Sequence, residues 1–301
     1  MSIPEGFVPV TLDLIDDYEA FRQRTPRRSA DYTFTNLWGW AGYYGLSLGF
    51  RDDLVWVHQS APEPRYWAPV GDWNAADWES HPEIRAGVTF HRAPDELGEL
   101  LRARLNGRVR TDESREQWEY LYDREELATL SGNKFHKKKN HVNGFRKMYG
   151  EDYRPLDNRL NPRGIEDVLA LQEEWCRWRD CENSPSLQAE NDVIFRVAGN
   201  WGRLHHLTGG SLYVEDKMVA FAIGEALDPE TLVVHFEKVQ PDYRGVYQAI
   251  NNAFVVHAGQ GFSVINREQD MGEEGLRQAK ETYNPVGFLK KSRLVIAPEG
   301  D

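Results

Sequence analysis

Three charged side chains of complementary type, Arg267, Glu268 and Asp270, fall within four residues of one another. They come just after the apolar run Gly261–Ile265, which has the length and composition of a buried strand. Charged side chains just past the end of a buried strand are where sheet proteins with helical cover commonly put their ligands and chemistry. Arg267 can hold a carboxylate or a phosphate through two parallel hydrogen bonds. Glu268 or Asp270 can receive an ammonium. Gly272 then turns the chain into a helix on which Arg277 and Lys280, three residues apart, share a face and supply positive charge. Tyr283 offers a hydroxyl that could protonate a leaving group. A plainer reading covers part of this stretch: Glu273, Arg277 and Glu281 form an i,i+4 charge ladder that supports the helix.

A second concentration of charge lies upstream. His136, Lys137, Lys138, Lys139, His141, Arg146 and Lys147 follow one another, with Phe135, Phe145 and Tyr149 interleaved. This is a basic patch in a chain with 36 Lys+Arg against 48 Asp+Glu and a net charge of -12. Such a chain is not a generic nucleic-acid binder, so any phosphate recognition must be local. The patch suits RNA phosphates or lipid headgroups, or it is the solvated face of a connecting helix. His136 and His141 are five apart, which is not the i,i+4 spacing of a helical metal pair. No His-Glu-x-x-His or cysteine cluster occurs, and no metal is expected. Cys176 and Cys181 fall in one expected helix and would point to different faces, so no disulfide is expected and a reducing, cytoplasmic setting fits. The N-terminus lacks a basic and apolar leader. The longest uncharged apolar run, Met218–Ile223, is too short to span a membrane. Of the ten tryptophans, six lie between Trp38 and Trp78, a density read as core packing.

The elements that must position these residues repeat. A hairpin, a third strand, and then helix, strand, helix, strand occur once over Leu46–Thr111 and again over Leu212–Val295. The charged hairpin tips Arg51-Asp52-Asp53 and Glu215-Asp216-Lys217 match, and His91-Arg92 holds the slot of Asn266-Arg267. The expectation is an α+β protein of two similar domains: residues 1–122, a basic connecting helix at 123–150, and 151–301 with the active site. If one copy is active, it is the second, which carries Glu268 and Asp270.

Helices, a three-strand meander, then helix–strand–helix–strand is the order of the GNAT acyltransferase fold. The stretches YLYDREELATLSGNKFHKKKNHVNGFRKMYG, HFEKVQPDYRGVYQAINNAF and VINREQDMGEEGLRQAKETYNP resemble a bacterial family related to the C-terminal domain of phosphatidylglycerol lysyltransferases. The resemblance covers nearly the whole chain. It implies two tandem GNAT-like (acyl-CoA N-acyltransferase-like) domains, each a mixed, mainly antiparallel sheet flanked by helices, akin to the Fem-type aminoacyltransferases. Those relatives move an aminoacyl group from aminoacyl-tRNA to a lipid or peptidoglycan acceptor. GNAT enzymes often carry a general-base Glu on the third meander strand, which here is Glu237; by alternation His235 and Val239 share its face. Acyl-CoA members cradle the pyrophosphate in a loop after that strand. Here the loop reads Asp242-Tyr243-Arg244-Gly245-Val246-Tyr247. Asp242 repels phosphate and Tyr247 replaces a small residue, while Arg244 and Gly245 still offer a cation and an N–H.

Three readings follow. The first is aminoacyl transfer from aminoacyl-tRNA to a lipid, peptide or small-molecule amine or hydroxyl, with tRNA met through the basic helix and any lipid met by its headgroup at the membrane surface. The second is acyl-CoA-dependent transfer, and the third a non-catalytic module for RNA, lipid or protein. No cofactor beyond the acyl donor is implied, and the oligomeric state is open.

Overall fold

The computed structural model describes residues 3–300, so residues 1, 2 and 301 of the expected division lie outside the described residues. The chain gathers into two units. One takes the chain up to Glu119 together with Gln269–Glu274 and everything from Phe288 on; the other takes Tyr120–Glu268 and Gly275–Gly287.

In the first unit, β1 (Val8–Pro9), α1 (Ile15–Arg22) and α2 (Phe34–Tyr44) precede the meander β2 (Leu46–Arg51), β3 (Leu54–Gln59) and β4 (Arg65–Gly71). Then follow α3 (Pro82–Ala86), β5 (Val88–Pro94), α4 (Asp95–Arg104) and β6 (Val109–Glu113). Helix α2 starts where the Thr33 hydroxyl accepts the Asn36 N–H and stops at Gly45, whose φ of 59° few other residues adopt. Trp56, Trp73 and Trp78 are fully buried, with Tyr18, Tyr32, Phe34 and Phe90, so the tryptophan density is core.

The second unit runs β7 (Glu119–Asp123), α5 (Arg124–Thr129), α6 (His136–Tyr149), β8 (Asp152–Pro155), α7 (Gly164–Arg179) and α8 (Pro185–Gly199). Its meander is β9 (Leu207–Val214), β10 (Lys217–Ala226) and β11 (Thr231–Val239), followed by α9 (Val246–His257), β12 (Val264–Asn266), α10 (Glu274–Glu281) and β13 (Gly287–Leu289). The chain ends in β14 (Lys291–Ile296). The two sheets have the orders β1-β2-β3-β4-β5-β14-β6 and β13-β7-β12-β11-β10-β9-β8. Both are mixed sheets flanked by helices, and the fold is two GNAT-like units.

Two expectations are corrected, and one strand appears that the sequence reading did not name. The last strand was expected to close the second copy. It lies instead in the first sheet, where Val295 faces Thr89 of β5 on one side and Arg110 of β6 on the other. Strand β7, hidden in the sequence by the charged helix start that follows it, pairs antiparallel with β12, Ile265 facing Tyr122. Cys176 and Cys181 are joined in a disulfide with their Cα atoms 5.2 Å apart. The helix does not carry both cysteines. It ends at Arg179, and Asp180 in the left-handed region (φ 55°) reverses the chain and brings Cys181 back.

Candidate functional site

The site grows out of a break in the second sheet. Strands β11 and β12 pair in parallel only from Thr231↔Val264 to Val233↔Asn266, whereas β11 runs on to Val239. Past Asn266 the chain leaves β11. The Arg267 N–H donates to the Tyr120 carbonyl, and Glu268 takes φ 54°. That backbone is held on several sides. The Asn266 side-chain oxygen accepts the Glu268 N–H at 2.8 Å, and the buried Lys280 ammonium donates to the Arg267 and Glu268 carbonyls at 2.5 and 3.1 Å. A left-handed non-glycine residue fixed by three neighbours is strain held in place, a frequent trait of functional sites. Lys280, expected to supply positive charge to a bound donor, has its ammonium on the carbonyls of this turn.

Into the gap project Glu237 from β11 and Arg267 from the turn. Arg267 Nη2 lies 3.5 Å from Glu237 Oε1, and the Asn251 amide of α9 donates to Glu237 Oε2 at 3.1 Å. The Arg267 guanidinium lies 4.9 Å from the centre of the Tyr283 ring and 5.9 Å from that of Tyr122. Arg267 Nη1 is sealed from solvent and has no hydrogen-bond partner among the described residues. Burial pushes the Tyr283 phenol up, and the Arg267 charge offsets only part of that, so the hydroxyl stays a proton donor at neutral pH. The ammonium of Lys138 sits 4.1 Å from the centre of the same Tyr283 ring. Burial and the Arg267 charge both push Lys138 down.

Beside this group lies a second polar cluster that sequence reasoning did not assign. Strands β10 and β11 slip by one residue, Ile223 facing Phe236 but Gly224 facing Val234, which leaves His235 as the extra residue of a bulge. Its enclosed imidazole donates from Nε2 to Glu225 at 2.8 Å and from Nδ1 to Glu268 at 2.7 Å. Burial opposes its charge, but the two carboxylates outweigh burial and raise His235 to about 10, so it is an imidazolium at neutral pH. The alternation of the strand placed His235 beside Glu237; only the bulge and its two glutamates give it a role.

Glu237, Arg267, Glu268 and Tyr283 are thus gathered around the gap, with Lys138 drawn in from the basic stretch. Asp270 is elsewhere: its carboxylate is fully buried, accepts from Arg115 at 3.1 Å and from the Gly272 N–H, and fastens a turn of the first unit. Arg277 is half-buried on α10. On α6, His136, Lys137 and Lys139 are exposed, whereas Arg146 is tied to Glu151 at 2.6 Å and to Asn252 at 3.1 Å. Gly245, with φ 84°, lies under α6: a Cβ there would come within 2.5 Å of the His141 carbonyl oxygen. Its lack of a side chain serves a helix contact. Arg244 is exposed, and Tyr247 is 43% exposed at the start of α9. A cavity of about 250 Å³ opens past the end of β11, between Trp175 and Trp178 of α7 and Gln240 to Asp242. Neither Glu237 nor Arg267 lines it, so cavity size does not locate the polar centre. Among the described residues, no helix is long and apolar enough to cross a membrane, and no group of three or more His, Cys, Asp or Glu is placed to hold a metal ion.

Two such sheets, with a carboxylate, a guanidinium and a phenol gathered at the strand splay of one, fit a tandem GNAT-like, acyltransferase-like protein. The chain belongs to the family described as phosphatidylglycerol lysyltransferase, C-terminal, which matches residues 22–294. It is similar throughout to a crystal structure of a conserved protein of unknown function from Bacteroides thetaiotaomicron VPI-5482, at 33% identity, TM-score 0.84, with 98% of this chain and 100% of that one covered. The structure of L-PGS from Bacillus licheniformis shares the fold at 14% identity and TM-score 0.61, over 95% of this chain and 92% of that one. An uncharacterized protein from Mycoplasmoides gallisepticum is 28% identical over 174 residues, covering 57% of this chain and 54% of that protein. The chain therefore spans about half the length of that curated relative.

Proposed function

We propose that the protein transfers an aminoacyl group from aminoacyl-tRNA to an amine or hydroxyl acceptor on a lipid, peptide or small molecule. The observation that carries this reading is the splay of β11 and β12, with Glu237 hydrogen-bonded by Asn251 and flanked by Arg267. Glu237 takes the proton of the attacking amine or hydroxyl. The new bond forms at the ester carbonyl, the bond to the ribose oxygen breaks, and Tyr283 gives that oxygen its proton. Glu268, fixed by the His235 imidazolium, supplies negative charge for the donor's ammonium, a role for which the fully buried Asp270 is not placed. His136, Lys137 and Lys139 on the outer face of α6 meet RNA phosphates, and a cytoplasmic setting, where charged tRNA is present, belongs to the same reading.

The family description supports acyl transfer. Acyl-CoA is the weaker donor. The loop that would cradle its pyrophosphate has a backbone carbonyl of α6 packed against Gly245, and a carbonyl repels phosphate. The test offers radiolabelled aminoacyl-tRNAs with vesicles containing phosphatidylglycerol or with soluble amines. Glu237→Gln should lower the rate about 100-fold or more. Rates undiminished in both Glu237→Gln and Tyr283→Phe, each shown to be folded, would end the reading.

A further inference from the structure

Most enclosed cations in this protein have a counter-charge. Lys238 has Glu190 at 2.7 Å, Arg22 has Glu19 at 2.7 Å, Arg92 has Asp31 at 2.5 Å, and Lys291 has two carboxylates. Lys280 spends its ammonium on carbonyls. Arg267, and the half-buried Lys138 beside it, depart from this pattern. Between them they have one carboxylate, Glu237, at a loose 3.5 Å from Arg267. Arg267 Nη1 has no partner among the described residues and no solvent. No carboxylate of the described residues lies within ion-pair distance of Lys138 Nζ, whose place over the Tyr283 ring brings it next to another cation. An enclosed N–H without a partner costs about 1–3 kcal/mol, and two neighbouring cations repel. A chain with 48 acidic residues could have supplied a second carboxylate and did not.

We propose that Lys138 and Arg267, both packed against the Tyr283 ring, form a binding subsite for an oxyanion, a carboxylate or a phosphate carried by the substrate. This deepens the acyl-transfer reading and rests on it for its place in a reaction, though anion binding can be measured without turnover. Arg267 offers the directed N–H and Lys138 the mobile point charge. Glu237, whose polar partners among the described residues are Arg267 and Asn251, is left to act on the incoming nucleophile beside the bound anion. The subsite also divides the basic stretch of α6 by function. Lys137 and Lys139 face solvent, whereas Lys138 belongs to the site.

The experiment titrates the full chain at constant ionic strength with inorganic phosphate, acetate and glycerol 3-phosphate, read by thermal shift and calorimetry. A fourth arm is sedimentation with phosphatidylglycerol vesicles. At least one oxyanion should bind the wild type and raise its melting temperature as concentration rises. Lys138→Gln should weaken that binding about tenfold to a hundredfold, as expected for loss of one charge-assisted contact. Arg267→Gln should do the same if folded; Lys217→Gln, at the exposed tip of the β9–β10 hairpin, should stay within about twofold. Binding of the soluble anions identifies a free acid or phosphate ester as source, and binding of vesicles alone identifies a lipid headgroup; both support the subsite when Lys138→Gln weakens them. No binding by any arm, or equal weakening in Lys138→Gln and Lys217→Gln, overturns it. Anion binding that depends on Lys138 in a protein that transfers no aminoacyl group would keep the subsite and remove the transfer reading.

Discussion

Arg92 and Arg267 occupy matching places, each on or just after the strand that pairs in parallel with the third strand of its meander. Each guanidinium lies against two aromatic rings, Trp67 and Tyr44 for Arg92, Tyr283 and Tyr122 for Arg267. Each faces a carboxylate, and each has a lysine nearby. The two sites then part. In the first unit, Asp31 receives Arg92 and Lys291, both at 2.5 Å, and Glu119 receives Lys291 at 2.9 Å and the Ser29 hydroxyl at 2.8 Å. Two cations meet two carboxylates. Burial pushes Asp31 up, yet Lys291 and Arg92 outweigh it and hold the acid at about 2. In the second unit, two cations meet one carboxylate, and an N–H is left over. A duplicated arrangement has closed on itself in one copy and stayed open in the other. Electrostatic completeness, more than strand order, separates a structural copy from a candidate active one.

The largest effect that could break this comparison lies in the closed site. Lys291→Met would leave the enclosed Glu119 without a counter-charge and Asp31 with Arg92 alone, and removing one partner of a buried ion cluster costs about 3–5 kcal/mol. Urea unfolding of the variant at pH 7 measures it. A loss below about 1 kcal/mol would show that the first cluster is not the tight structural network its distances describe.

His235→Gln comes next, at about 3 kcal/mol, since Glu225 and Glu268 would lose the charge between them. The sign of its pH dependence follows from the shift. His235 is raised from 6.5 to about 10, so its contribution is fully present below about pH 6.5 and is lost as pH rises through about 10. The stability gap between wild type and variant should be wide at pH 7 and narrow toward about pH 10–11. A gap that instead widened with pH would contradict an imidazolium between two carboxylates. Gly245→Ala is expected to cost less, about 1–3 kcal/mol, from its positive φ and the His141 carbonyl beneath it; retention of full stability would mean α6 can move off α9.

Much of this was legible in the chain. The apolar runs and charged turns of the second meander carry its strand ends, such as the Asp228-Pro229-Glu230 turn before β11. Glu237, Arg267 and Tyr283 could be grouped because strand ends and the helix after Gly272 bring them to one place. What escaped reading depends on geometry without local signal. The bulge that aims His235 at two glutamates is a one-residue slip against another strand, invisible in LVVHFEKV itself. The placement of β14 in the first sheet is a pairing across nearly 200 residues, fixed by a partner and not by its own composition. Lys138 looked like one lysine of three; its helical phase among the buried Val142 and Phe145, not its charge, turns it toward Tyr283. The cysteine pair was misread for one residue, Asp180, whose left-handed backbone ends the helix between them.

The smallest predicted effect is the sharpest. Lys138→Met keeps an unbranched chain over the Tyr283 ring while removing a charge that burial and Arg267 both oppose. The Lys291 substitution removes a charge that burial opposes but that Asp31 and Glu119 together more than restore. The open site therefore predicts that Lys138→Met leaves stability unchanged or raises it, by less than about 1 kcal/mol, while it lowers anion affinity. Urea midpoints of the two methionine variants, measured side by side, decide it. Comparable destabilisation in both would mean that Lys138, like Lys291, is a structural counter-charge, and the distinction between a closed and an open copy would fall. A stable Lys138→Met that no longer binds an oxyanion would mark this lysine as held against its own electrostatic preference, the state expected of a side chain positioned for a ligand.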